Sequence, residues 1–110
     1  MVPATTLLAV DDNDKLIGMI DIRHRLNDYL LQFGGHIGYS VRKSERCKGY
    51  ATEMLKMSLR VVKELGLDKV LITCNKDNIP SFRVIHKNGG ELENEVNNNG
   101  TIGSRYWIKV

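Results

Sequence analysis

Residues 41–52 read VRKSERCKGYAT, with four basic side chains (Arg42, Lys43, Arg46, Lys48) and one acidic one (Glu45) before Gly49. A run with helical spacing begins directly after the glycine. A helix's first turn leaves backbone N–H groups unpaired and carries partial positive charge, so it attracts anions. Gly49 has no Cβ and would let an anion approach the main chain closely. Arg46 and Lys48 would add full charges at the rim. The ligand best suited to such a place is a diphosphate, and a merely solvated basic loop is the competing reading. Neither GxGxxG after a strand nor GxxxxGK followed by Ser or Thr occurs, which excludes a Rossmann or Walker site. Cys47 and Cys74 are far apart and form no CxxC pattern, so neither a metal nor a disulfide is indicated. Nothing obvious near Cys47 activates it as a nucleophile.

These residues need elements to position them. Thr5–Val10 reads as a strand and Asp11–Asp14 as a polar turn. Lys15–Leu26 is β-branched and partly alternating, which predicts a second strand in a hairpin with the first. Asn27–Gly35 is a connection and His36–Val41 a third strand. From Gly49 the period changes. Ala51, Met54, Leu55, Ser58, Leu59, Val62 and Leu65 recur at three- and four-residue steps, an amphipathic helix closed by Gly66. Asp68–Asn75 is an apolar strand buried on both faces. Asn78–Asn88 is a shorter helix, with Asn78 as N-cap and Pro80 in its first turn. Gly89-Gly90 stops it. Glu91–Val96 alternates with a period of two, Asn97–Gly100 turns, and Thr101–Val110 is the last strand. Asn99-Gly100 suits a hairpin turn better than a glycosylation acceptor. The order is β-β-β-α-β-α-β-β, a mixed α/β domain with a parallel crossover between the third and fourth strands.

The bulk properties agree. A chain of 110 residues is one domain with a single core, and 42% apolar with 26% charged residues is an ordinary globular composition. No apolar run reaches the ~20 residues of a membrane span, and the start has no basic region of a signal peptide. The expected compartment is the cytoplasm. The net charge of +3 equals the excess within residues 42–48 alone, four basic against one acidic. Such a local patch suggests a small anionic ligand. A nucleic-acid-binding module would need interleaved aromatics, and only 6% of residues are aromatic.

Arg46-Cys47-Lys48-Gly49-Tyr50-Ala51 resembles the Q/R-x-x-G-x-G/A signature of the GNAT superfamily of N-acetyltransferases, placed after a strand and before a long helix as that family requires. Strand Val70–Asn75, followed by Asn78-x-x-Ser81 opening a helix that ends HKNGG, is a second point of similarity. The likeness runs from about Leu7 to the C-terminus. It implies a GNAT-like mixed sheet with splayed central parallel strands, one acetyltransferase domain over residues 1–110, and direct transfer of an acetyl group from acetyl-coenzyme A to a primary amine. By that resemblance Tyr39, Ser40 and Val41 offer backbone groups to the pantetheine arm. The amides of Arg46, Cys47, Lys48, Gly49, Tyr50, Ala51 and Thr52 receive the pyrophosphate. Asn78 and Ser81 meet the pantetheine region, and Lys87 lies near the nucleotide phosphate.

The family tyrosine that protonates the departing thiolate has no counterpart, because its position holds Ile85. Tyr106 on the last strand is the substitute candidate, with a plain sheet residue as its alternative. His36 is the candidate base, since imidazole has a suitable pKa; a structural histidine is the competing reading. His24 and His86 have no stronger claim. Relatives carry one strand and two helices before the hairpin that begins here near Thr5. The resemblance therefore implies a domain truncated at its N-terminus, with its first strand an uncovered edge beside apolar surface. A second copy, making a homodimer, is the expected partner, besides acetyl-coenzyme A and an unidentified amine; neither nucleic acid nor membrane is expected. The runner-up is a non-catalytic coenzyme A-binding relic.

Overall fold

Alternation of apolar residues at period two gives way to helical spacing at Gly49, and the chain follows that change. The computed structural model describes residues 3–46 and 49–110. Its elements are β1 (Ala4–Val10), β2 (Leu16–Arg23), β3 (Ile37–Val41), α1 (Tyr50–Glu64), β4 (Lys69–Asn75), α2 (Ile79–Lys87), β5 (Glu91–Asn98) and β6 (Thr101–Lys109). The predicted order is reproduced. The strands form one sheet in the order β1-β2-β3-β4-β6-β5. All neighbours are antiparallel except β3 and β4, which run parallel with α1 as their crossover.

The second strand is shorter than its composition suggests. It ends at Arg23, whose amide donates to the His36 carbonyl, while the His24 amide turns to the Pro3 carbonyl. The chain then enters a short π-helical turn, Leu30–Gly34, started by the Asn27 side chain accepting from the Leu30 amide. Gly35 makes the exit possible. It has φ of +70°, and a Cβ there would lie 2.6 Å from the Leu71 carbonyl oxygen of β4.

Both helices cover one sheet face. Met54, Leu55, Ser58 and Val62 of α1 and Ile85 of α2 are buried against Ile20, Ile22, Ile37, Val70, Ile72, Tyr106 and Ile108. Three consecutive β4 residues, Val70–Ile72, are buried, as their apolar run predicts for a central strand. On the other face the 30–34 turn lies over β4 and β6, tied by Thr73 Oγ1 donating to the Phe33 carbonyl and the Arg105 guanidinium donating to the Leu31 carbonyl. Farther along that face, the cross-strand pairs Leu8–Met19 and Val10–Leu16 leave four apolar side chains exposed. Glu91–Glu95 of β5 alternates in sequence yet buries neither side, because β5 is the opposite edge and its register shifts between Leu92 and Asn94.

Candidate functional site

The site begins as a fault in the sheet. β3 pairs with β2 along its whole length, from Ile37–Ile22 to Val41–Gly18. Toward β4 its ladder consists of Ile37–Ile72, and beyond that rung the parallel strands part. In an antiparallel ladder, backbone groups of alternate residues point to opposite sides. The Arg42 amide donates to the Ile17 carbonyl of β2 and the His36 carbonyl accepts from Arg23. The groups of Ser40 therefore also belong to β2, whereas those of Tyr39 and Val41 turn into the gap. This corrects the expectation for Ser40, whose amide is committed to the ladder. The Val41 carbonyl accepts from Arg46 Nε at 3.1 Å, which folds that guanidinium across the mouth of the gap.

α1 starts at this mouth. Gly49 caps it with φ of +83° and no side-chain cap. The first helical bond runs from the Glu53 amide to the Gly49 carbonyl, so the amides of Tyr50, Ala51 and Thr52 have no acceptor within the helix. Space where a Gly49 Cβ would project is open. Arg42, Lys43 and Arg46 are exposed around it. The Arg46 amide is spent within its own turn on the Lys43 carbonyl, which removes it from the predicted set of phosphate donors. Cys47 and Lys48, also in that set, lie outside the described residues.

α2 spans the gap from its deep part to its mouth. At its start the Asn78 side chain accepts from the Ser81 amide at 3.2 Å, an N-cap as the sequence predicts. Ser81 Oγ lies 2.7 Å from the Tyr39 hydroxyl on β3 and also meets the Cys74 thiol of β4. Burial holds both the Tyr39 phenol and the Cys74 thiol above their ordinary pKa values, so both stay protonated. At the far end of α2, Asn88 Nδ2 donates to the Thr52 carbonyl of α1 and to the Val84 carbonyl. Lys87, the residue before Asn88, is exposed. Sequence spacing had pointed to Tyr39 only for its backbone, and had not pointed to Cys74 or Asn88; their roles depend on contacts 36 or more residues apart for Tyr39–Ser81 and Asn88–Thr52.

The catalytic candidates fare differently. His36 is buried at the closed end of β3, where Nδ1 accepts the Leu71 amide at 2.9 Å and the ring stands edge-on to Trp107. Burial lowers its pKa. With its lone pair engaged and its ring away from the gap, it is a structural histidine. His24 is bonded to Thr5 and His86 stacks on Phe82. Tyr106 is 7% exposed, part of the core on β6, with Phe82 of α2 against its ring. Ile85 is fully buried. From the opposite sheet face, a cleft of about 160 Å³ reaches the end of β4, lined by Thr73, Cys74 and Asn75 with Gln32, Phe33 and Arg105. Among the described residues no group of three or more His, Cys, Asp or Glu is placed to hold a metal ion, and no helix is long and apolar enough to cross a membrane.

Comparison with known proteins agrees with this fold. Residues 3–91 match the model of the acetyltransferase (GNAT) domain. The Bacillus subtilis (strain 168) protein named "Uncharacterized N-acetyltransferase YnaD" is 33% identical over 100 residues, covering 87% of this chain and 55% of that protein. The chain thus spans about half the length of that curated relative. Among solved structures, ribosomal-protein-S5-alanine acetyltransferase from Vibrio fischeri superposes with a TM-score of 0.81 at 19% identity, over 96% of this chain and 61% of that one. A GNAT-family acetyltransferase from Bacillus anthracis gives 0.76 at 24% identity, over 94% and 65%. At these identities the two structures establish the fold, and the family assignment rests on the domain match and the curated relative. The chain belongs to the GNAT acetyltransferase family.

Proposed function

We propose that residues 1–110 form one domain that binds acetyl-coenzyme A and transfers its acetyl group to a primary amine. The observation that carries this reading is the gap beyond Ile37 and Ile72, which opens against the α1 N-terminus with cations around it. In this reading the amides from Gly49 to Thr52 take the diphosphate, with Arg46 and Lys48 beside them and Lys87 at the nucleotide side. The pantetheine arm lies along β3 as an added strand would, bonded to the backbone of Tyr39 and Val41. Asn78 and Ser81 flank it.

The thioester carbonyl then sits at the deep end, where the Tyr39 N–H polarises its oxygen. The amine arrives through the cleft beside Thr73 and Asn75 and attacks in its neutral form. A C–N bond forms, the C–S bond breaks with its electron pair passing to sulfur, and the nitrogen loses its proton to solvent. The free thiol of Cys74 suits the cytoplasm as the compartment. We further infer a homodimer. β1 carries no charge over Ala4–Val10, so its edge lacks the usual protection against pairing with a second copy, and the exposed Leu8, Val10, Leu16 and Met19 adjoin it.

A second reading, coenzyme A binding without turnover, is favoured by Ile85 occupying the position of the family tyrosine. The two separate in one experiment: calorimetry with acetyl-coenzyme A, beside thiol release across small amines, amino acids, an aminoglycoside and a peptide N-terminus. Binding with amine-dependent release supports the enzyme; binding without it selects the second reading; no heat overturns both.

A further inference from the structure

The geometry points to the Tyr39 hydroxyl, held by Ser81, as the group that hydrogen-bonds the departing sulfur and stabilises it as the thiolate. This inference rests on the acetyl-transfer reading above and assigns to this chain a leaving-group hydrogen-bond donor that neither Ile85 nor Tyr106 provides.

Tyr39 lies two residues beyond Ile37 on β3, and Cys74 two beyond Ile72 on β4, so the two flank the gap just where the strands begin to part. The Tyr39 side chain projects to the helix face and reaches across to α2, where its oxygen lies 2.7 Å from Ser81 Oγ. The hydroxyl is thereby fixed at one wall of the gap. If Ser81 donates to the phenol oxygen, the phenol's own proton is free to point into the gap. The titratable group that acts on it is Cys74, whose thiol is protonated; Tyr106, on β6, interacts with Cys74 and not with Tyr39. No carboxylate or cation contributes to the shift that keeps Tyr39 protonated.

The step balances. As the C–S bond breaks, its electron pair passes to sulfur, and the Tyr39 O–H, which holds its proton more tightly than a thiol does, donates a hydrogen bond to the thiolate that forms. The amine nitrogen loses its proton to solvent, so neutral amine and thioester become amide, thiolate and a solvated proton. A phenol bonded to sulfur lowers the pKa of a bound thiol by stabilising its thiolate. Tyr39 is thus a catalytic residue and Ser81 a positioning residue. Tyr106, its ring buried under Phe82, takes no part.

The test compares coenzyme A, which carries an ionisable thiol, with acetyl-coenzyme A, which does not. Calorimetry of each is run on the native chain and on Tyr39→Phe, Ser81→Ala and Tyr106→Phe at pH 7 and pH 9.5. In the native chain the affinity ratio of coenzyme A to acetyl-coenzyme A rises about tenfold between the two pH values, one unit of thiol pKa. In Tyr39→Phe the rise disappears, in Ser81→Ala it shrinks, and in Tyr106→Phe it persists. Turnover of Tyr39→Phe falls at least about a hundredfold, within the range for loss of one donor to developing negative charge, while KM for acetyl-coenzyme A stays within about twofold. Binding by the native chain with an unchanged pH-dependent ratio in Tyr39→Phe overturns this inference and leaves the acetyl-transfer reading intact. Absence of heat with either ligand on the native chain overturns both.

Discussion

Ile37 and Ile72 face each other across the two parallel strands, and the β3–β4 ladder goes no farther. Past this rung a continuous sheet becomes a slot. β3 keeps its full ladder to β2 on the other side, so its free edge is rigid, and the backbone donors of Tyr39 and Val41 are held ready without a side chain to order. A strand-like ligand meets a preformed partner there, which lowers the entropic cost of binding it.

Ile85 is fully buried in the α2–sheet interface, and its Cγ2 lies 2.3 Å from where a Cβ on Gly90 would project. Restoring a tyrosine at this position overpacks a filled site. Ile85→Tyr is expected to destabilise the fold by about 1–3 kcal/mol, measured by urea unfolding, with no gain in transfer rate.

The buried His36 links stability to pH. Its folded pKa is lowered from 6.5 by burial, so below that value the unfolded chain binds the proton more readily than the folded one. The sign follows: the stabilising contribution is fully present above pH 6.5 and declines as pH falls through 6.5 toward the lower folded value. Unfolding free energies measured from pH 7.5 to 5 are expected to fall, with a flatter profile in His36→Asn, which keeps an acceptor for the Leu71 amide. His36→Ala leaves that buried N–H without its partner and is expected to cost about 1–3 kcal/mol at every pH.

The uncharged edge of β1 makes a prediction about assembly. Light scattering of the native chain should give the mass of a pair, and Leu8→Lys, which places a charge among the exposed Leu8–Met19 and Val10–Leu16 pairs, should give the mass of one chain. A native chain that scatters as a monomer at high concentration contradicts the homodimer.

The order of elements was legible because each change of hydrophobic period coincides with a boundary, and the basic stretch before Gly49 was legible because charge and glycine are local properties. Strand ends were less so. Lys15–Leu26 continues to look β-like past Arg23, but the partner that ends it, His36, is thirteen residues farther on. The orientation of His36 was not legible either, since which strand face it takes depends on the entry of the chain through Gly35 against Leu71. The Tyr39–Ser81 contact joins positions 42 residues apart and has no local signature. Backbone direction, which separates Ser40 from Tyr39 and Val41, depends on register with β2 alone.

The central claim is that main-chain donors at the start of α1 hold the diphosphate of acetyl-coenzyme A. Titration calorimetry with acetyl-coenzyme A, on the native chain and on Gly49→Val, tests it most directly. Valine brings a β-branched side chain into the open space at the cap and disfavours φ of +83°. The account predicts measurable heat with the native chain, weakening as salt is raised, and at least about tenfold lower affinity in Gly49→Val with the sheet still folded by circular dichroism. Equal affinity in the two chains, or no heat in the native one, would contradict it.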